Sequence, residues 1–225
     1  MTIRSQQIKT QFIQLTHVGR LEEFCADHPE KTIQPVLDFL NGETDANVLL
    51  IRSDIGNGGT HLLSGAANEL LDRGEVIMCM SSEMVLRHAV VMPEEIRRYV
   101  ANCSFVCIDF FDHLLNRPDP MKEVCSMLNL FLSEGGKIIL QSSKSIEAND
   151  ILRYLRARKL IQVTSDFPSF ETLKKISLQH VDAAVVEDLA DTVFAKSENS
   201  VRVVLGQMIA EDARRKLKEL HDRKA

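Results

Sequence analysis

Short unbroken apolar runs alternate along this chain with longer stretches in which apolar residues recur every third or fourth position. The short runs lie at residues 48–52, 76–80, 105–109 and 137–140. Unbroken runs of this length predict strands buried on both faces. The periodic stretches predict helices at 33–40, 60–73, 82–88, 94–101 and 121–133. In the second of these, Leu62, Leu63, Ala66, Ala67, Leu70 and Leu71 make one apolar face, and Gly74 stops it. Asn41-Gly42 ends the first helix, Ser81 or Ser82 caps the third, and Pro93 opens the fourth. Pro118 and Pro120 punctuate a loop before the fifth, and Gly135-Gly136 breaks off its end.

Strand and helix in alternation predict an α/β fold, a parallel sheet covered on both sides. Such sheets bind ligands at the carboxyl ends of their strands. The turn after residue 52, Asp109 and residues 141–143 all fall at such ends. Beyond about residue 165 the strand pattern stops. Phe167-Pro168-Ser169 reads as a turn, followed by helices at 170–180, 182–196 and 200–221. The expected organisation is an N-terminal arm over 1–22, an α/β domain over 23–165 and a small all-helical lid over 166–225.

Composition narrows the function classes. Hydrophobic residues make up 44% and charged residues 26%, enough for a sizeable core. The net charge of −5 argues against a whole-surface footprint for nucleic acid and leaves direct DNA binding to a local patch. Arg214, Arg215, Lys216 and Lys218 form such a patch, although cations near a helix C-terminus are also accounted for by the helix dipole. No run is long enough to span a membrane, and the first residues lack the apolar centre of a signal peptide, so a cytoplasmic location is expected. The five cysteines contain no CxxC pair and read as buried free thiols. The seven histidines show no HExxH or paired-ligand spacing, so a catalytic metal is not expected.

The chemistry concentrates at residues 53–60. Strand, glycine-rich turn and helix start follow the P-loop pattern GxxxxGK[ST], with Ser53 in place of the first glycine and Gly59 in place of the lysine. Gly56, Gly58 and Gly59 still let backbone N–H groups approach a phosphate, and Thr60 still offers a hydroxyl to Mg²⁺. The missing ammonium removes charge-assisted bonds worth about 1.5–3 kcal/mol each, a loss of roughly one to two decades in triphosphate affinity.

Five segments in order then carry a resemblance. Gly56 to Leu63 is similar to G-x-G-K/R-T/S-H-L-L, with His61 in the trailing triplet. Residues 105–112, FVCIDFFD, resemble a Walker B strand, and 137–143, KIILQSS, a sensor 1 strand. Leu155-Arg156-Ala157-Arg158 resembles an arginine-finger segment. Ser200-Val201-Arg202 with Leu205-Gly206 resembles a sensor 2 helix. Together they resemble the DnaA/Hda-like AAA+ family, from about residue 24 to 208.

The resemblance implies a P-loop AAA+ three-layer sandwich with a five-stranded parallel sheet and a helical lid. It implies a nucleotide site at Gly56, Gly58, Gly59, Thr60, His61, Asp109, Ser142 and Arg202, with Thr60 and Asp109 on Mg²⁺. It implies that Arg158 is an arginine finger facing a partner, DnaA or another AAA+ protein or a second copy. Gln14-Leu15 is loosely similar to the peptide with which Hda-like proteins dock on the sliding clamp. In the family, the Walker B aspartate is followed by a second acid; here Phe110 follows Asp109 and cannot take a proton. Asp112 stands two residues further on, past the expected strand end. The expectation is a regulator of replication initiation that does not hydrolyse ATP. It holds a diphosphate such as ADP with Mg²⁺, or no nucleotide. A nucleic-acid-binding or helicase-loading adaptor and a weak ATPase are the alternatives. DnaA's duplex-binding domain follows its lid; this chain stops earlier, so duplex recognition by that route is not expected.

Overall fold

The computed structural model describes residues 19–222 apart from 92, 116 and 196–199, with the backbone alone at 88–91, 93, 95, 96 and 118. The clamp-peptide candidates Gln14 and Leu15 lie outside the described residues.

Five strands form one parallel sheet: β1 (Val48–Ser53), β2 (Ile77–Ser81), β3 (Phe105–Asp109), β4 (Lys137–Ser142) and β5 (Leu160–Ser165), in the order β2-β3-β4-β1-β5. Val48 pairs with Ile138 on one side and Leu160 on the other. Before the sheet come a 3₁₀ turn (Leu21–Glu23), α1 (Pro29–Thr32) and α2 (Gln34–Asn41). The helices between strands are α3 (Gly59–Asp72), α4 (Ser82–Val91), α5 (Pro93–Val100), α6 (Asp112–Leu115), α7 (Pro118–Ser133) and α8 (Ala148–Leu152). Three more follow the sheet: α9 (Phe170–Leu178), α10 (Ala183–Ala195) and α11 (Val201–Asp222).

Side-chain alternation along the strands divides the core in two. Leu49, Ile51, Cys107 and Ile139 face α3, where Leu62, Leu63, Ala66 and Leu70 meet them. Val48, Leu50, Ile108 and Leu140 face the other way, onto Val124, Leu128 and Phe131 of α7. This is the period of two in a strand meeting the period of 3.6 in a helix. The last three helices have a core of their own, built on Leu173, Val186, Val204 and Met208. Leu21, placed in the arm by its polar surroundings, is buried against the α3 layer.

Most elements fall where the apolar pattern puts them. Gly42, at φ 74°, ends α2 in the left-handed conformation expected of a glycine C-cap. Two details differ. Pro118 and Pro120, read as a loop, belong to the first turn of α7. The first N–H groups of a helix have no intrahelical acceptor, so proline costs nothing there. The apolar pattern also gives four strands, and the fifth appears only through the resemblance. β5 is an edge strand in which Gln162 and Thr164 interrupt the apolar residues, so its signal is weak.

Candidate nucleotide site

The carboxyl ends of β1, β3, β4 and β5 meet at one edge of the sheet, beneath a cavity of about 790 Å³. Its floor is the turn from Asp54 to Gly58, which leads from β1 into α3. Gly56 and Gly58 both adopt φ 87°, a conformation that L side chains rarely take. The turn therefore keeps the glycines that its shape requires. The first N–H groups of α3 open onto the same space, with the positive end of that helix dipole.

Thr60 and Asp109 come together. The Thr60 hydroxyl donates to the Asp109 carboxylate at 3.1 and 3.3 Å; Asp109 is only 5% exposed and, unlike Thr60, does not itself line the cavity. Two hard oxygen ligands side by side at a phosphate loop suit Mg²⁺, which takes one or two protein oxygens and completes its shell with phosphate and water. Among the described residues no group of three or more His, Cys, Asp or Glu could hold a metal alone. His61 lies on the cavity wall with Phe24 edge-on to its ring at 5.6 Å.

Phe110 lines the cavity where the family's second acid would stand. Its backbone takes φ 56°, the one left-handed non-glycine among the described residues, and its ring stacks on His113 at 5.5 Å. Gln141 fixes this turn: its side-chain oxygen accepts the Phe110 N–H at 3.0 Å and its carbonyl the Phe111 N–H at 2.8 Å. Asp112 also reaches the cavity, where its carboxylate accepts the Ser143 N–H at 3.4 Å.

Ser142 is a correction. It is fully buried and does not line the cavity, whereas Gln141 and Ser143 do. Successive residues of a strand face opposite sides, and β4 continues through Ser142. The polar sequence of residues 141–143 suggests a strand that has already ended, which hides that alternation.

Arg202 stands in the first turn of α11, on the cavity wall, and its N–H donates to the Gly56 carbonyl at 3.3 Å. Asn57 completes the contact. Its side-chain oxygen accepts the Val201 N–H at 3.4 Å, and its carbonyl accepts the Ser165 hydroxyl at 2.6 Å. Phe24, Asn57 and Gln179 were not singled out in the sequence. Phe24 and Gln179 come from segments far apart in the chain and follow no motif spacing, and Asn57 fills a variable position of the glycine-rich turn.

Arg158 lies elsewhere. It precedes β5 at the amino ends of the strands, exposed, with its N–H on the Asn47 side-chain oxygen at 2.9 Å. It makes no ion pair with a described residue. The sheet separates it from its own cavity.

The rim of the cavity is acidic. Lys144 bridges Asp54 at 3.2 Å and Asp166 at 2.6 Å. Partial burial pushes its ammonium down, but the bonds from Asp166 and Asp54 outweigh this and raise it. That cation is committed to carboxylates and does not replace a loop lysine.

A family model described as the bacterial DnaA ATPase domain matches residues 38–166, more than half of the chain. The chromosomal replication initiator protein DnaA of Campylobacter concisus is 23% identical over 92% of this chain and 50% of its own length. That of Thermodesulfovibrio yellowstonii is 28% identical over 72% of this chain and 40% of its own. The chain thus spans half or less of the length of these relatives. Domain III of Thermotoga maritima DnaA superposes with a TM-score of 0.71 at 19% identity, covering 84% of this chain and 85% of that one. AMPPCP-bound DnaA from Aquifex aeolicus superposes with a TM-score of 0.69 at 20% identity, covering 93% and 71%. At these identities the structures speak for the fold, an AAA+ P-loop sandwich. With the family model matching from α2 to the end of the sheet, this chain belongs to the bacterial DnaA ATPase-domain family.

Proposed function

We propose that this chain is a non-hydrolysing, Hda-like regulator of replication initiation that acts through protein contacts. The observation that carries the reading is the pair of changes at the cavity: Gly59 for the cation and Phe110 for the proton acceptor. Phosphoryl transfer from ATP to water needs charge neutralisation at the phosphates and a group that orients and deprotonates the attacking water. A glycine and a phenyl ring supply neither.

The remaining groups suit a bound diphosphate such as ADP, and the AMPPCP complex of the Aquifex aeolicus relative supports a nucleotide in this cavity. N–H groups of Gly58, Gly59 and Thr60 would take the phosphates, Arg202 would add charge from α11, and Thr60 with Asp109 would hold Mg²⁺. The metal would neutralise phosphate charge beside an acidic rim. The nucleotide then serves as a structural ligand between the loop and the last three helices.

The outward-facing site is Arg158. An exposed guanidinium that makes no ion pair with a described residue could reach a nucleotide held by a partner AAA+ protein, DnaA or a second copy, where a planar cation acts in trans. The test is DnaA's own phosphate release, measured with and without this chain. Wild-type protein is expected to change that rate and to co-purify with DnaA, and Arg158→Ala is expected to lose the rate effect while staying folded. Equal effects of the two proteins would sink the role of Arg158. No effect and no co-purification would sink DnaA as partner.

A further inference from the structure

The space into which a residue-59 side chain would grow is already filled. A Cβ on Gly59 would lie 2.7 Å from the Cβ of Ser53 and 2.8 Å from Nε2 of Gln141, distances real Cβ atoms do not show. Neither neighbour is free to move aside. Ser53 ends β1, and its hydroxyl donates to the Asp54 carbonyl at 3.0 Å. Gln141 is 4% exposed, its Oε1 accepts the Phe110 N–H, and its Nε2 donates to the Ser142 carbonyl at 3.2 Å. These contacts also fix which end of the amide is nitrogen, because one partner can only donate and the other only accept. The amide nitrogen therefore faces Gly59 beneath the phosphate loop.

Two departures from the P-loop pattern, a side chain at 53 and none at 59, thus meet the long amide of Gln141 from β4 at one point. We propose that they form one interlocked unit in which Gln141 takes the place of the missing lysine as a neutral hydrogen-bond donor, and that this unit makes the cavity select nucleoside diphosphates over triphosphates. The proposal rests on the reading of the cavity as a nucleotide site. An amide has two N–H donors, and Ser142 uses one. A neutral donor gives a phosphate about half of what a charged one gives. Each further phosphate adds negative charge near Asp54, Asp112 and Asp166, so the third is the worst compensated.

The interlock is tested by placing lysine at 59 in two backgrounds, wild type and Ser53→Gly/Gln141→Ser. Dissociation constants for Mg-ADP and Mg-ATP are measured by calorimetry, and Tm is measured on every protein. Wild type is expected to bind ADP more tightly than ATP. Gly59→Lys alone is expected to gain no ATP affinity and to lower Tm. The same change in the Ser53→Gly/Gln141→Ser background is expected to tighten ATP by roughly ten- to hundredfold, the value of a charge-assisted contact. Equal gains in the two backgrounds would overturn the interlock, because independent sites add. ATP bound as tightly as ADP by wild type would overturn the selectivity.

Should Gly59→Lys not fold in the wild-type background, Gly59→Ala decides by Tm alone. It is expected to lower Tm in wild type and to lower it by less than half as much in the opened background; equal losses would refute the interlock. If none of the proteins binds either nucleotide, the nucleotide reading and the selectivity fall together, and the Gly59→Ala comparison still decides the packing.

Discussion

Phe110 is a bulky side chain held in a backbone conformation that L residues rarely adopt. An L residue in the left-handed region costs about 1–2 kcal/mol, and here two bonds to Gln141 hold it. The aspartate before it was legible because a carboxylate that closes a buried apolar run must meet a donor or a cation at the strand end. Gln141 and Ser142 were not separable in sequence, since only the extent of β4 decides which of them faces the cavity. The cysteines give an independent residue-scale check. Cys79, Cys107 and Cys125 are buried. A hydrogen bond with Cys79, followed by burial, pushes the Cys107 thiol well up. Burial pushes Cys103 to about 11 and Cys125 to about 12. The thiols of Cys103, Cys107 and Cys125 stay protonated at neutral pH and react slowly. Cys25 is half-buried on the cavity wall, with Gln179 donating to its sulfur at 3.5 Å. A maleimide is expected to label Cys25 first, and saturating ADP is expected to slow that labelling severalfold. Labelling indifferent to ADP would show that the ligand does not enter this cavity.

Among the elements, the contact between the phosphate loop and α11 matters most. Asn57 and Gly56 accept the first N–H groups of a 22-residue helix, a role a helix's own N-cap side chain usually plays. Asn57→Ala is expected to cost about 0.5–2 kcal/mol, and to speed amide exchange at residues 201–204 without touching the sheet. Unchanged exchange there would mean the contact contributes nothing.

A second tie joins the segment before α1 to α9. Asp27 accepts the Ser169 N–H at 2.7 Å and its hydroxyl at 2.6 Å. Burial pushes the Asp27 carboxyl up, but hydrogen bonds from Ser169 and Thr172 outweigh it and hold it below the usual 3.8. A carboxyl depressed on folding contributes stability that is complete above its unfolded value and is lost as pH falls through the folded one. Proteolysis around residues 166–169 is therefore expected to be flat from neutral pH down to about 4, and to rise only in stronger acid. A rise near pH 6 would assign the tie to another group. The helices of this region could be read from their period, whereas β5 and the prolines of α7 could not. The first lacks apolar contrast, and the second are tolerated by helix-end chemistry that resembles a loop in sequence.

At the scale of the molecule, the candidate nucleotide site lies at the carboxyl ends of the strands and Arg158 at their amino ends. The order β2-β3-β4-β1-β5 puts the phosphate loop between its neighbours at one end and residue 158 at the other. The partner contact proposed for Arg158 and the ligand proposed for the cavity would therefore not compete for space. Arg158→Ala removes an exposed side chain that makes no ion pair with a described residue, so stability is expected to stay within about 0.5 kcal/mol. Leu50→Ala, in the fully buried layer facing α7, is expected to cost about 2–5 kcal/mol. A large loss for Arg158→Ala would make that residue structural. Family membership was legible because the motifs follow one another in order. The cavity's upper wall was not, because its residues meet only after folding.

The proposed function, a nucleotide cavity with Gly59 and Phe110 in place of the cation and the proton acceptor, predicts that the chain does not turn ATP over. Phosphate release from Mg-ATP by the purified chain is the decisive measurement, with Asp109→Ala and Asp112→Asn as companions. The same background rate is expected for all three proteins. Steady release by the wild type that either substitution abolishes would contradict this, and loss with Asp112→Asn would name the carboxylate that does the work of the missing acid.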